Sequence, residues 1–294
     1  MRSEAVVLAA SRTRALDFLT LAKPRLNFLV VVSAMAGYAM AGMDAGAVTL
    51  LGTLVGTGLV AGGASALNQL LERDTDALMR RTRMRPLPDQ RLQPIEAFVF
   101  GVAIAITGLL MLAAAANLLA AAVALATLLS YVVVYTPMKR RTSFATVVGA
   151  IPGALPPVIG WAAVRNDVSV EAWILFGIVF LWQLPHFLAI AWLFRDDYGR
   201  AGLPMLPVID PDGRSTGRQA IIYGAALIPL SLAPTLIGMT GAVYFAGALL
   251  LGMAFLWLTI RFARTRTTHD ARVAFFASIT YLPLLWILMI ADKL

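Results

Sequence analysis

The chain has 294 residues, 60% of them hydrophobic and 14% charged, and no cysteine. A soluble domain is about half apolar and about a quarter charged, so a mean hydropathy of +0.79 excludes a water-soluble globule and disorder alike. The missing cysteine excludes disulfides, zinc–thiolate sites, iron–sulfur clusters and a thiol nucleophile, and the net charge of +8 has to be read from where the charges sit.

Residues 1–22 read as an N-terminal cytoplasmic tail, mobile and ending in a short amphipathic helix on the membrane surface. Ala5–Ala10 is too short and too near the start to be a signal peptide. A single membrane domain is expected over 23–294. It contains uncharged stretches at 26–43, 45–71, 97–138, 142–164, 172–194, 219–260 and 273–291. A membrane helix needs roughly 20 apolar residues. The two longest stretches therefore hold a hairpin each, turning near Asn117 and near Gly238–Gly241. The expected fold is all-α: a polytopic membrane protein with nine transmembrane helices around a central cavity. A β-barrel is excluded, because its strands alternate in polarity rather than run apolar.

The basic residues agree with nine spans. They cluster before span 1, in the 2–3 loop (Arg73, Arg80, Arg81, Arg83, Arg85, Arg91), the 4–5 loop (Lys139, Arg140, Arg141), the 6–7 loop and the 8–9 loop. Arg165 and Lys293 alone fall on the opposite face. The positive-inside rule puts the rich face, with the N-terminus, in the cytoplasm. The inner 2–3 and 6–7 loops are long and hold most of the acids, so any chemistry is expected at the cytoplasmic membrane surface.

Span 2 ends with Asn68, Glu72 and Asp76 at i, i+4 and i+8, which lines three oxygen donors along one helix face. Such donors suit Mg²⁺ with substrate phosphates. A solvated helix end with carboxylates paired to arginines is the plainer alternative. The arginines of 80–85 suit phosphate oxygens, although topogenic charge explains several of them. A second cluster follows span 6, where His186 precedes Asp196 and Asp197. Two carboxylate groups at one depth could hold metal around a diphosphate. A third element, Tyr135 to Arg141, closes span 4. A histidine inside a span is costly, so His186 is a functional candidate, against a structural hydrogen bond as the alternative. His269 beside Asp270 reads as solvated surface. Gly52 with Gly56 and Gly149 with Gly153 read as close helix packing. Pro152, Pro156 and Pro157 should bend span 5, and Tyr198–Arg218 reads as a partly ordered cap or a connector.

These residues carry a resemblance. The chain resembles the UbiA-type intramembrane prenyltransferases, and within them the heme-modifying branch. The strings are N-x-x-x-E-x-x-x-D-x-x-M-x-R-T-x-x-R-P at 68–86, Y-T-P-x-K-R at 135–140, W-Q-x-P-H-F at 182–187, D-D-Y at 196–198 and G-x-P-M-L-P at 202–207. The Lys23-Pro24-Arg25 start of span 1 also fits, and the likeness covers about 23–290. Glu72 replaces the superfamily's commoner aspartate, as the heme branch does.

The resemblance implies transfer of the farnesyl group of farnesyl diphosphate to a vinyl group of heme b, with addition of water, giving heme O and diphosphate. It implies Mg²⁺ on Asn68, Glu72, Asp76, Asp196 and Asp197, which with Tyr135 and Lys139 form the catalytic group. Arg81, Arg85 and Arg140 would hold the diphosphate, and His186 the heme. On position alone, Tyr135, Phe187 and Phe194 are candidates for the aromatic faces beside an allylic cation. The implied setting is a bacterial inner membrane, multi-pass, with lipid around it and no nucleic acid. A heme A synthase or terminal oxidase is the implied downstream partner. A sibling aromatic prenyltransferase of quinone or chlorophyll synthesis, a non-catalytic heme-binding subunit and a membrane transporter are the competing readings.

Overall fold

The computed structural model describes residues 14–294. Residues 1–13 of the expected tail, with Arg2 and Arg12, lie outside the described residues. Helix α1 (14–22) packs on the domain. Asp17 pairs with Arg91 at 3.1 Å, Gln69 donates to the Leu21 carbonyl at 2.8 Å, and Leu21 is buried among Ala66, Leu87, Leu92 and Ala97.

Nine helices among the described residues are long and apolar enough to cross a membrane. The chain runs through α2 (Pro24–Ala41), α3 (Gly46–Leu78) and α4 (Pro94–Ala115). Next, α5 (Leu118–Leu129) continues through a π-helical segment (Ser130–Tyr135) into α6 (Thr136–Met138). The fifth span is broken in two, α7 (Ala145–Ala154) and α8 (Pro156–Arg165), and α9 (Val170–Leu193) follows. The loop after it carries α10 (Arg195–Arg200) and α11 (Leu206–Ile209), before α12 (Arg214–Leu236), α13 (Ala242–Thr265) and α14 (Thr268–Ala291) complete the fold.

The boundaries have local causes. Asn117 caps α5, its Oδ1 accepting from Ala120 N at 2.8 Å, while its Nδ2 donates to the Ala162 carbonyl at 2.7 Å. One asparagine thus makes the turn and ties it to α8. Pro156 and Pro157 lack the N–H that would continue α7, so the fifth span restarts there as α8. The second expected hairpin turns through Gly238 and Gly241 into α13.

The spans form two halves. In the first, α3 packs along α4 and α2, and α8 lies against α2 and α5. Its core includes Tyr38, Val60, Leu112 and Ile159. In the second, α9 packs against α12 and α14, with α13 between those two. Leu175, Ile178, Leu227, Tyr244 and Trp286 fill that core, which Ala36, Met40 and Trp161 join from the first half. Contact between α2 and α8 is backbone-close. A Cβ at Gly37 would strike the Pro157 carbonyl, and one at Gly160 the Ala34 carbonyl.

The outer surface of the spans is apolar: Val48, Leu110, Val133, Leu250, Trp257 and Ile287 are all exposed. Such a surface belongs in lipid, and the chain is a multi-pass membrane protein. The buried residues of α2 all lie within Ser33–Ala41, and its other half is only partly covered, with Leu26 and Phe28 exposed. At that covered C-terminal end of α2 Lys293 Nζ donates to the Ala39 carbonyl at 2.8 Å, which closes α14 onto α2.

Candidate active site

Helix α3 has 33 residues, which at about 1.5 Å per residue is roughly 50 Å, well beyond a hydrocarbon core of about 30 Å. Its C-terminal turns carry Asn68, Glu72 and Asp76, with Asn68 and Asp76 buried. Each meets a partner from another element. Glu72 Oε1 accepts from Lys139 Nζ at 2.8 Å. Asp76 Oδ2 accepts from Arg85 Nη1 at 2.6 Å, and its carbonyl accepts from Thr82 Oγ1 at 2.8 Å. Asn68 Nδ2 donates to Thr136 Oγ1 at 3.1 Å.

The π segment sets the third contact. Its register moves the backbone bond from i−4 to i−5, so Thr136 N and Thr136 Oγ1 both donate to the Tyr131 carbonyl, the latter at 2.9 Å. With the hydroxyl proton directed there, Oγ1 accepts from Asn68, and Asn68 Oδ1 is left facing Lys23 Nζ at 3.4 Å. π segments recur at functional sites for this kind of local re-aiming. Lys139 also lies over the Tyr135 ring, 4.6 Å from its centroid, and Tyr135 is seated against Gly149. Burial, with Arg85 and Lys139 nearby, pushes the Lys23 ammonium down to about 7, while Glu72 and Asp76 oppose that shift.

The structure therefore gathers Asn68, Glu72, Asp76, Tyr135, Lys139 and Arg85, and adds Lys23 and Thr136. Nothing in the spacing of Lys23 pointed there. It enters through a left-handed turn (φ 47°) at the start of α2, and the only signal was its place in the Lys-Pro-Arg string. Arg140 sits at the rim, donating to the Leu71 carbonyl at 3.1 Å.

The second acidic cluster is arranged differently. The side chain of Asp196 is 89% exposed, facing Arg195 at 4.0 Å, and is not brought into the cluster. Asp197 is buried, but its carboxylate accepts from the backbone N–H groups of Arg80 and Arg81, both at 3.4 Å, and pairs with Arg200. It fastens the basic 79–93 loop to α10. Arg81 lies over the Phe194 ring at 4.7 Å and donates to Tyr198 Oη at 3.4 Å, so that face of Phe194 is covered. Phe187 lies beside His186, 5.6 Å between ring centroids. His186 itself sits between α9 and α14, its Nδ1 2.7 Å from Ser278 Oγ. His269 has a 76% exposed side chain beside Asp270.

Among the described residues no three of His, Cys, Asp and Glu gather closely enough to hold a metal. The donor chemistry of the α3 ladder fits Mg²⁺ all the same: two carboxylates and an amide oxygen on one face, a set that needs phosphate oxygens to complete it. In this structure Asp196 faces solvent, while Asp197 is engaged by backbone N–H groups and Arg200.

The model of the UbiA prenyltransferase family matches residues 30–280. The chain belongs to the UbiA prenyltransferase family. A relative named protoheme IX farnesyltransferase, from Solibacter usitatus (strain Ellin6076), is 50% identical over 287 residues, covering 94% of this chain and 98% of the relative. Among solved structures, that of a digeranylgeranylglyceryl phosphate synthase matches with a TM-score of 0.79 at 15% identity, covering 95% of this chain and 98% of that one. A UbiA homolog from Archaeoglobus fulgidus, bound to GPP and Mg²⁺, matches with a TM-score of 0.68 at 17% identity, covering 93% and 99%. At those identities the likeness establishes the UbiA fold.

Proposed function

We propose that this UbiA-family enzyme transfers the farnesyl group of farnesyl diphosphate to a vinyl carbon of heme b, with addition of water, releasing diphosphate and forming heme O. The observation that carries the chemistry is the convergence of the α3 ladder with Lys23, Arg85 and Lys139 at one end of an apolar domain. The choice of heme as acceptor is supported by the 50% identity to a protoheme IX farnesyltransferase across almost its whole length.

Lys139 and Arg85 each hold a carboxylate in the structure and offer further N–H donors to an incoming diphosphate. As the allylic C–O bond breaks, charge grows on the departing diphosphate, so these cations bind the transition state more strongly than the substrate. Lys23, just before α2, offers a further N–H donor group beside Asn68. Asn68, Glu72 and Asp76 would hold Mg²⁺, which supplies Lewis-acid neutralisation of the diphosphate. The apolar surroundings keep water from the allylic cation until the vinyl carbon attacks it. Tyr135 acts through Lys139, whose ammonium occupies its face. Arg81 and Arg140 act at the rim.

The membrane is a bacterial inner membrane, with the 79–93 loop on the cytoplasmic side. Residues 23–294 form the functional domain, with α1 as its packed forerunner. A transporter has no use for a polar cluster confined to one end, and a bare heme-binding subunit has none for the ladder. Purified protein in nanodiscs, given heme b, 4-hydroxybenzoate, farnesyl diphosphate and Mg²⁺, should yield heme O by mass spectrometry together with diphosphate. Prenylated 4-hydroxybenzoate in place of heme O would overturn the acceptor assignment.

A further inference from the structure

The ring of His186 is clamped between Trp182 of α9 and Phe275 of α14, with centroids 5.2 and 5.1 Å away and planes 22° and 28° from its own. These stacked contacts leave the polar contact to the ring edge. At that edge Nδ1 meets Ser278 Oγ at 2.7 Å. The same Oγ lies 2.6 Å from the Phe275 carbonyl, which can only accept.

A serine hydroxyl has one proton and a neutral imidazole has one N–H. The Ser278 proton goes to the Phe275 carbonyl, so Ser278 Oγ must accept from His186, and Nδ1 is the protonated nitrogen. In an apolar span the imidazole is neutral, which leaves the lone pair on Nε2. That atom has no hydrogen-bond partner among the described residues. Among the described residues the fully buried side-chain polar atoms without a partner are Thr57 Oγ1, Ser169 Oγ and Trp286 Nε1, and Nε2 is not one of them, so it is not fully enclosed by protein. Trp182 Nε1 donates to the Ser278 carbonyl at 2.8 Å, fixing the register of the two helices around this contact.

A metal-ligating histidine characteristically donates its other N–H to an acceptor that fixes ring and tautomer. We propose that Ser278 is a positioning residue: it holds His186 as the Nδ1–H tautomer and so offers Nε2 to the iron of the heme substrate. This rests on the heme reading above. The polar function of the pair lies between α9 and α14, in the second half of the molecule, whereas the ladder lies in the first.

The test uses the full chain in nanodiscs, with heme b as probe. Soret titration measures affinity, and resonance Raman of the ferrous complex reads the iron–histidine stretch. The wild type should show that band and His186→Ala should lose it. Ser278→Ala should weaken heme binding about 10-fold and lower the stretching frequency, because the acceptor that makes the imidazole a stronger ligand is gone. Ser278→Thr, which keeps the hydroxyl, should restore both, and farnesyl diphosphate binding should be unchanged in all three variants. A Ser278→Ala protein with the wild-type affinity and frequency overturns the proposal, as does a band that survives His186→Ala. If the wild type makes heme O without a His186-dependent band, this proposal alone fails. If it neither binds heme b nor makes heme O, the heme reading fails with it.

Discussion

Glu72 and Asp76 sit one helical turn apart, yet each answers to a different cation, Lys139 for one and Arg85 for the other. Glu72→Gln and Asp76→Asn should each lower farnesyl transfer by about 100-fold or more, the scale of losing one electrostatic contact in the transition state. Full turnover in both variants would remove the ladder from the mechanism. Lys139→Met strands a carboxylate in a mostly buried position, at a cost of about 3 kcal/mol, so its melting temperature should drop. Adding Glu72→Gln to Lys139→Met should restore melting but not turnover. If the double variant melts no higher than Lys139→Met alone, the pair is not coupled as the geometry requires.

Helix α8 shows what an element contributes. It exists because Pro156 and Pro157 interrupt the fifth span, and Gly160 then lets its backbone lie against α2. Gly160→Val should cost at least about 1–3 kcal/mol from overpacking, visible as a lower melting temperature, and an unchanged value would contradict the close approach. The 79–93 loop depends instead on α10. Asp197→Ala should speed hydrogen exchange at Arg80 and Arg81 and raise the KM for farnesyl diphosphate, whereas protection equal to wild type would show that the carboxylate does not hold the loop. Apolar run length and Asn117 made the nine spans and the first hairpin legible, and the i, i+4, i+8 spacing did so for the ladder. The remainder was not legible because it depends on tertiary geometry: a π register at 130–135, a left-handed turn at Lys23, and the turn of α10 that exposes Asp196 while burying Asp197. A pair of adjacent aspartates reads the same in sequence whichever way each one faces.

For the whole molecule, the absence of cysteine is an experimental asset. Arg83→Cys and Asp167→Cys place one thiol near each end of the spans. In intact spheroplasts a membrane-impermeant maleimide should label the Asp167→Cys protein, and should reach Arg83→Cys only after permeabilisation. The reverse pattern would invert the proposed orientation and move the ladder to the periplasmic side.

The partly covered start of α2 bears on how a greasy product departs. Leu26 and Phe28 are 65% and 64% exposed, a few residues from Lys23. A farnesyl tail sliding along that flank passes from protein to acyl chains without wetting, and each methylene spared hydration is worth about 0.8 kcal/mol. Exit along that flank would be sideways, into the leaflet rather than into water.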